Sequence, residues 1–168
     1  MMKTIYLAGG CFWGIQRYLD QFTGVKETVV GYANGHTENP TYEEVKHEIS
    51  GHAETVQVTY DENEISLEKL LDYYYLVIDP VSVNQQGEDK GISYRTGIYY
   101  VDENDLDVIR QVTKRIQDKH DEPLAVEIKP LDNFYQAEDY HQKYLEKNPQ
   151  GYCHIGGCFL HLEDDKND

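Results

Sequence analysis

The residues of this chain best suited to chemistry are three thiols, a carboxyl group on an apolar strand and a few tyrosines. Cys11 stands in Gly9-Gly10-Cys11-Phe12-Trp13-Gly14, between a run that favours strand (Lys3 to Ala8) and a run that reads as a helix (Cys11 to Phe22). A thiol at a helix start faces unpaired N–H groups and the positive end of the helix dipole, which favour an anion. Cysteine pKa falls in such places, and the thiolate is the nucleophile. Gly9, Gly10 and Gly14 permit a tight turn and close approach of a ligand or of other backbone. Phe12 and Trp13 read either as the apolar wall of a pocket or as filling between helix and sheet, and Cys11 itself as either a nucleophile or a small buried core residue.

Glu54 is the second such residue. In His52-Ala53-Glu54-Thr55-Val56-Gln57-Val58-Thr59-Tyr60, the even positions share one face of a strand. If that face is the core face, Glu54 is desolvated beside Val56 and Val58. Its pKa rises, and it can act as a proton donor near neutrality. If the strand enters from solvent there, Glu54 is an ordinary wet carboxylate. Cys153 and Cys158 lie in a glycine-containing tail, Asn148 to Cys158. A mobile thiol there could reach a first cysteine and form a disulfide with it. Cys153, His154, Cys158 and His161 offer a zinc alternative, but their spacing lacks the paired-cysteine knuckle of usual zinc sites, and the expectation is no metal.

The 168 residues suit one domain, expected to span 1–168 with a mobile tail over about 148–168. The net charge of −16 excludes the basic surface that nucleic acids or anionic membranes require. No apolar run reaches the length of a membrane span. The start, Met1 to Gly14, lacks a small-residue cleavage site and reads as a buried strand rather than a signal peptide. An odd, small number of cysteines argues against a secreted disulfide framework. A cytoplasmic location is expected.

The elements that must hold these groups read in order. Strands are expected at Lys3 to Ala8, Val25 to Ala33, His52 to Asp61 and Thr96 to Val101, and helices at Cys11 to Phe22 and Ser66 to Ile78. A short helical turn is expected at Tyr42 to Lys46 within a long loop, and Asp79 to Arg95 reads as irregular. The order β-α-β-β-α-β is the split βαβ arrangement, so an α/β (α+β) two-layer fold with a ferredoxin-like core is predicted. A further helix (Glu103 to His120), a strand (Leu124 to Leu131), a last helix (Ala137 to Lys147) and an irregular tail extend it.

The motifs resemble those of the A-type peptide methionine sulfoxide reductases. Gly9 to Gly14 (GGCFWG), GYANG, NPTYEEV, GHAETVQVTYD, QGEDKGISYRTGIYY and FYQAEDYHQKYL follow in that family's order over nearly the whole chain. The resemblance implies Cys11 as nucleophile, Glu54 as the acid at the leaving oxygen and Cys153 as the resolving cysteine. Phe12 and Trp13 would hold the sulfoxide's methyl group, and Tyr42 and Tyr94 would hydrogen-bond its oxygen. Asp89 would help to position substrate. It implies reduction of methionine-S-sulfoxide, in proteins or as small methyl sulfoxides, by way of a sulfenic acid and a disulfide that thioredoxin reduces. It implies no bound cofactor. A monomer is expected. The family usually carries Asn-Asp where this chain has Glu88-Asp89, and Cys158 is a thiol beyond the matched pair. Two other readings compete: a peroxide-reducing or disulfide-exchanging thiol enzyme, and a non-catalytic acidic module with a metal-stabilised tail.

Overall fold

Alternation and helical period place the elements, and the computed structural model, which describes residues 1–155, orders them into one six-stranded sheet. In chain order they are β1 (Met2–Gly9), α1 (Phe12–Asp20), β2 (Val25–Ala33), α2 (Tyr42–Lys46), β3 (Ala53–Asp61), α3 (Leu67–Val77), β4 (Gln85–Gln86), β5 (Asp89–Lys90), β6 (Thr96–Tyr100), α4 (Leu106–Gln117), β7 (Glu127–Pro130), β8 (Phe134–Gln136) and α5 (Tyr144–Lys147). The sheet order is β7-β6-β1-β3-β2-β8. Its centre, β6-β1-β3-β2, has the antiparallel pairings that a β-α-β-β-α-β chain produces. Strand β7 adds in parallel to β6, and β8 adds antiparallel to β2.

Period-two alternation decides which face is covered. Ile5 and Leu7 of β1 join Val30, Tyr32, Val56, Val58, Tyr60 and Ile98 in the main core. Helix residues Phe12, Ile15, Tyr18, Leu19, Leu70, Tyr74, Ile109 and Val112 belong to that same cluster. Tyr6 and Ala8 point the other way, into a small cluster with Ala33, Ala53 and Tyr99, closed by Leu131 and Phe134. The result is two layers, with α1, α3 and α4 packed on one face. No helix among the described residues is long and apolar enough to cross a membrane.

The tyrosine richness is explained by where the hydroxyls go. Buried tyrosine needs a partner for its O–H. Tyr18 donates to the Tyr73 carbonyl at 2.6 Å, tying α1 to α3. Tyr74 donates to the Ala8 carbonyl at 2.5 Å, tying α3 to the end of β1 just before Cys11. Helix starts follow their caps. Ser66 Oγ accepts from the Lys69 N–H at 3.1 Å, and Thr41 and Glu44 form a reciprocal capping box on α2.

Two stretches differ from the sequence expectation. Asp79 to Arg95 is partly ordered, with the β4–β5 hairpin turning at Gly87 (φ 59°) and a 3-10 turn at Ile92–Tyr94. Strands of two residues carry no readable periodicity. The expected last helix is broken into a 3-10 turn at Asp139–His141 and α5, with Lys143 left-handed at φ 55°. Tertiary hydrogen bonds outweigh helix propensity there. The Val30 N–H donates to Gln142 Oε1 at 3.0 Å, and Gln142 Nε2 donates to the Val30 carbonyl at 2.9 Å. The Lys143 N–H donates to Gln16 Oε1 at 2.8 Å. Phe134–Gln136 also pairs with β2, as a strand absent from the sequence expectation.

Candidate active site

Cys11 is the N-cap of α1, and it is buried. Gly10 precedes it at φ 90°, a turn that a side chain would strain. A Cβ on Gly10 would also collide with Gln86 Cβ at 2.8 Å. The turn is therefore packed under the β4–β5 hairpin.

Glu54 is 1% exposed, on the strand face shared with Val56, Val58 and Tyr60. The Phe12 N–H donates to its Oε1 at 3.1 Å, so the carboxyl lies against the residue after Cys11. Its Oε2 is buried with no partner among the described residues. Burial pushes Glu54 up to about 8; the Phe12 N–H opposes this and Asp89 adds to it. The carboxyl is therefore neutral at physiological pH.

The thiol departs from the sequence expectation of a lowered pKa. Burial, and then the nearby Glu54 and Asp89 charges, push Cys11 well above its ordinary value. The N–H groups of Trp13 and Gly14 favour the anion but do not outweigh them. A helix start helps a thiolate only where water or a cation shares the load, and this one is dry and ringed by acids.

Tyr42 and Tyr94 face the same spot: burial and then the Glu54 charge push both phenols up. Neither hydroxyl has a hydrogen-bond partner among the described residues. The Tyr42 N–H donates to Glu138 Oε2 at 3.1 Å, and the Tyr32 hydroxyl donates to Glu138 Oε1 at 2.8 Å. The aromatic wall is Phe12 and Trp13 with His141 between them, at ring-centroid distances of 5.3 and 5.7 Å. Trp13 Nε1 donates to His141 Nδ1 at 3.0 Å, and its ring stacks on Tyr144 at 3.9 Å. Asp89, on β5, is half-buried, and Oδ2 accepts from the Tyr152 hydroxyl at 3.2 Å. Cys11 and Cys153 are both free thiols. Among the described residues, no group of three or more His, Cys, Asp or Glu is placed to hold a metal. Cys158 and His161 lie outside the described residues.

With this geometry in hand, a family profile described as peptide methionine sulfoxide reductase matches residues 3–164. This chain belongs to the peptide methionine sulfoxide reductases. It is 61% identical over 158 residues to the reductase MsrA of Lachnoclostridium phytofermentans, covering 94% of this chain and 95% of that protein. It is 57% identical to MsrA of Clostridium acetobutylicum, covering 92% and 95%. Among solved structures it is similar to Mxr1 of Saccharomyces cerevisiae in reduced form, with a TM-score of 0.86 and 38% identity over 90% of this chain and 88% of that one. It is also similar to methionine sulfoxide reductase A of Corynebacterium diphtheriae, with a TM-score of 0.80 and 33% identity over 90% and 77%. Another similar structure is Mxr1 in complex with Trx2, with a TM-score of 0.61 and 28% identity over 85% and 84%.

As a methionine sulfoxide reductase the chain is a thiol-dependent oxidoreductase, and its cluster brings together Cys11, Phe12, Trp13, Tyr42, Glu54, Asp89 and Tyr94. Sequence reasoning missed Glu138 and His141. Their signal is present in Ala137-Glu138-Asp139-Tyr140-His141, but a continuous helix assignment hid it. The reductase's Trp13 also lines a groove with Arg17, Gln21, Leu145 and Pro149, which neither Cys11 nor Glu54 enters.

Proposed function

We propose that this chain reduces methionine-S-sulfoxide to methionine with Cys11 as nucleophile and Glu54 as acid. The observation that carries the reading is the buried Glu54, held by the Phe12 N–H with Oε2 unengaged; its burial pushes it toward the acid form. A sulfoxide oxygen leaves only when protonated. Tyr42 and Tyr94 donate hydrogen bonds to that oxygen, and Phe12 and Trp13 hold the methyl group on one side, which selects the S epimer. Asp89 helps to position substrate.

Both Cys11 and Glu54 are neutral in the resting site, and this sets the proton path. Glu54 delivers its proton to the sulfoxide oxygen and takes the thiol proton as Cys11 sulfur attacks. The new bond joins Cys11 sulfur to the sulfoxide sulfur; the hydroxyl then passes to Cys11 sulfur as that bond breaks, methionine departs with the electron pair, Cys11 is left as a sulfenic acid, and Glu54 ends as it began. Cys153 then displaces water from Cys11 and forms the Cys11–Cys153 disulfide. Thioredoxin reduces that disulfide; the likeness to Mxr1 bound to Trx2 supports this partner. The substrates include oxidised proteins, so the role is repair. No bound cofactor takes part. The chain acts as a single catalytic domain, 1–168, in the cytoplasm and as a monomer.

One experiment tests the assignment. After one equivalent of methionine sulfoxide, mass mapping yields a Cys11–Cys153 disulfide. Cys11→Ser releases no methionine. Cys153→Ser releases one equivalent and then stalls with thioredoxin. Turnover by Cys11→Ser would end the nucleophile assignment, and steady recycling by Cys153→Ser would transfer the resolving role to Cys158.

A further inference from the structure

The tail around Cys153 is docked rather than draped. On one side, the Tyr152 hydroxyl donates to Asp89. On the other, His154 Nε2 lies 3.0 Å from the Gly9 carbonyl, two residues before Cys11. A carbonyl only accepts, so Nε2 carries the hydrogen, and the neutral ring leaves Nδ1 as a bare acceptor. That Nδ1 is buried with no partner among the described residues. It faces the same patch of α1 as the thiol does. A Cβ placed on Gly14 would lie 3.0 Å from His154 Nδ1 and 3.2 Å from Cys153 Sγ. In this state the Cys153 thiol donates to the Ile155 carbonyl at 3.3 Å, so its proton has an acceptor but no base.

We propose that His154 Nδ1 is the base that takes the proton of Cys153 and makes it the nucleophile against the Cys11 sulfenic acid. This rests on the reading of Cys153 as the resolving thiol. Rotation of the Cys153 side chain away from the Ile155 carbonyl turns Sγ toward Nδ1. The thiol proton moves to Nδ1, and the electron pair left on Cys153 sulfur forms the S–S bond. The S–O bond of the sulfenic acid breaks, and the departing hydroxide takes the proton back from the imidazolium and leaves as water. Cys153 is oxidised, Cys11 sulfur is reduced from the sulfenic to the disulfide level, and His154 is restored.

The surroundings suit a base. The groups that face His154 are Asp89 with Gln86 and Gly87 from the β4–β5 hairpin, the Gly9 carbonyl and Gly10 from the turn before Cys11, and Cys153 and Tyr152 on its own segment. Burial holds the imidazole below its ordinary value, against the pull of the Gly9 carbonyl and Asp89. The ring is thus unprotonated at neutral pH. The attacking species in such an exchange is the thiolate, so removal of the thiol proton belongs to the step.

The test isolates the second step. One equivalent of methionine sulfoxide is mixed rapidly with the reduced enzyme, and sulfenic acid decay and disulfide formation are followed from pH 6 to 9. His154→Gln keeps an amide donor for Gly9 and removes the base. The wild-type rate is expected to be flat from neutral pH upward. The variant's rate is expected to be at least tenfold lower at pH 7 and to climb with pH as hydroxide replaces the base. An unchanged rate overturns the proposal. So does a slower rate with the same flat profile, which marks a purely positional role. Release of one equivalent of methionine reports a folded variant. Cys153→Ser is run beside it: a disulfide formed without Cys153 overturns the reading beneath the proposal, and is distinguished from failure of the base by the mapped cysteines.

Discussion

The Phe12 N–H and Glu54 Oε1 meet at 3.1 Å, so the peptide unit after Cys11 grips a carboxyl from the strand next to β1. The first turn of α1 spends one of its free donors on this acid rather than on the thiol. The chemistry and stability of the site both follow from that choice.

Glu54 should govern the reductive step. With its pKa pushed up to about 8, the acid form predominates at neutral pH and is lost as pH rises through 8. The single-turnover rate of methionine release is expected to be level from pH 6 to about 7.5 and to fall about tenfold per unit well above pH 8. Glu54→Gln should lower it by a factor of about 10² to 10⁴ at pH 7. A wild-type rate still rising at pH 9.5 would mean that thiolate supply, not acid supply, limits the step.

The same carboxyl costs stability as pH rises. Its folded pKa lies above the unfolded Glu value of about 4.3. The folded protein therefore retains a proton that the unfolded chain releases. Its contribution is full below about pH 4.3, declines by roughly 1.4 kcal/mol per unit up to about pH 8, and then levels. Glu54→Gln should gain stability relative to the wild type across pH 5 to 8 in urea unfolding. A difference independent of pH would show that Glu54 is ionised in the fold.

His141 should be felt through Trp13. His141→Phe keeps an aromatic ring near Phe12 and Tyr42 but removes the acceptor for the indole N–H. Loss of one such bond is worth about 0.5–1.5 kcal/mol, so KM for a methyl sulfoxide is expected to rise about 2–12-fold, more than kcat falls. Trp13 is the single tryptophan, and its emission should shift in the variant. Unchanged emission and KM would mean that the stack on Tyr144 alone holds the ring.

Gly14→Ala should separate stability from recycling. Within a helix, alanine is favoured over glycine by about 0.8–1.0 kcal/mol. Its methyl would crowd His154 and Cys153. The variant is expected to match or exceed the wild type in Tm, to release its first equivalent of methionine, and to form the disulfide several-fold more slowly. Normal disulfide formation would show that the tail resolves Cys11 from a different docked position.

The alternation of β3 made legible that Glu54 shares a face with Val56, Val58 and Tyr60, but not whether that face is already dry at Glu54, because this depends on how α1 covers the end of the strand. The glycines before Cys11 made the strand-to-helix turn legible. The direction of the thiol's pKa was not legible. It depends on how dry the cap is and on Glu54 and Asp89, groups brought there by β3 and β5. Residues 137–147 read as helix because Ala, Glu, Lys and Leu favour it, whereas Gln142 and Lys143 are held by bonds to Val30 and Gln16 more than a hundred positions earlier. His141 and Glu138 entered the site through that same long-range rearrangement.

Gln142 has one more effect. The Val30 carbonyl already accepts from the Ala137 N–H at 2.9 Å, where the chain leaves β8, but the Val30 N–H meets no backbone carbonyl there, and the Gln142 side-chain carbonyl takes that place at 3.0 Å. Left bare, that single N–H would be a foothold for a foreign strand at the sheet's border. One glutamine thus plugs the gap that the reductase's last strand leaves along its border.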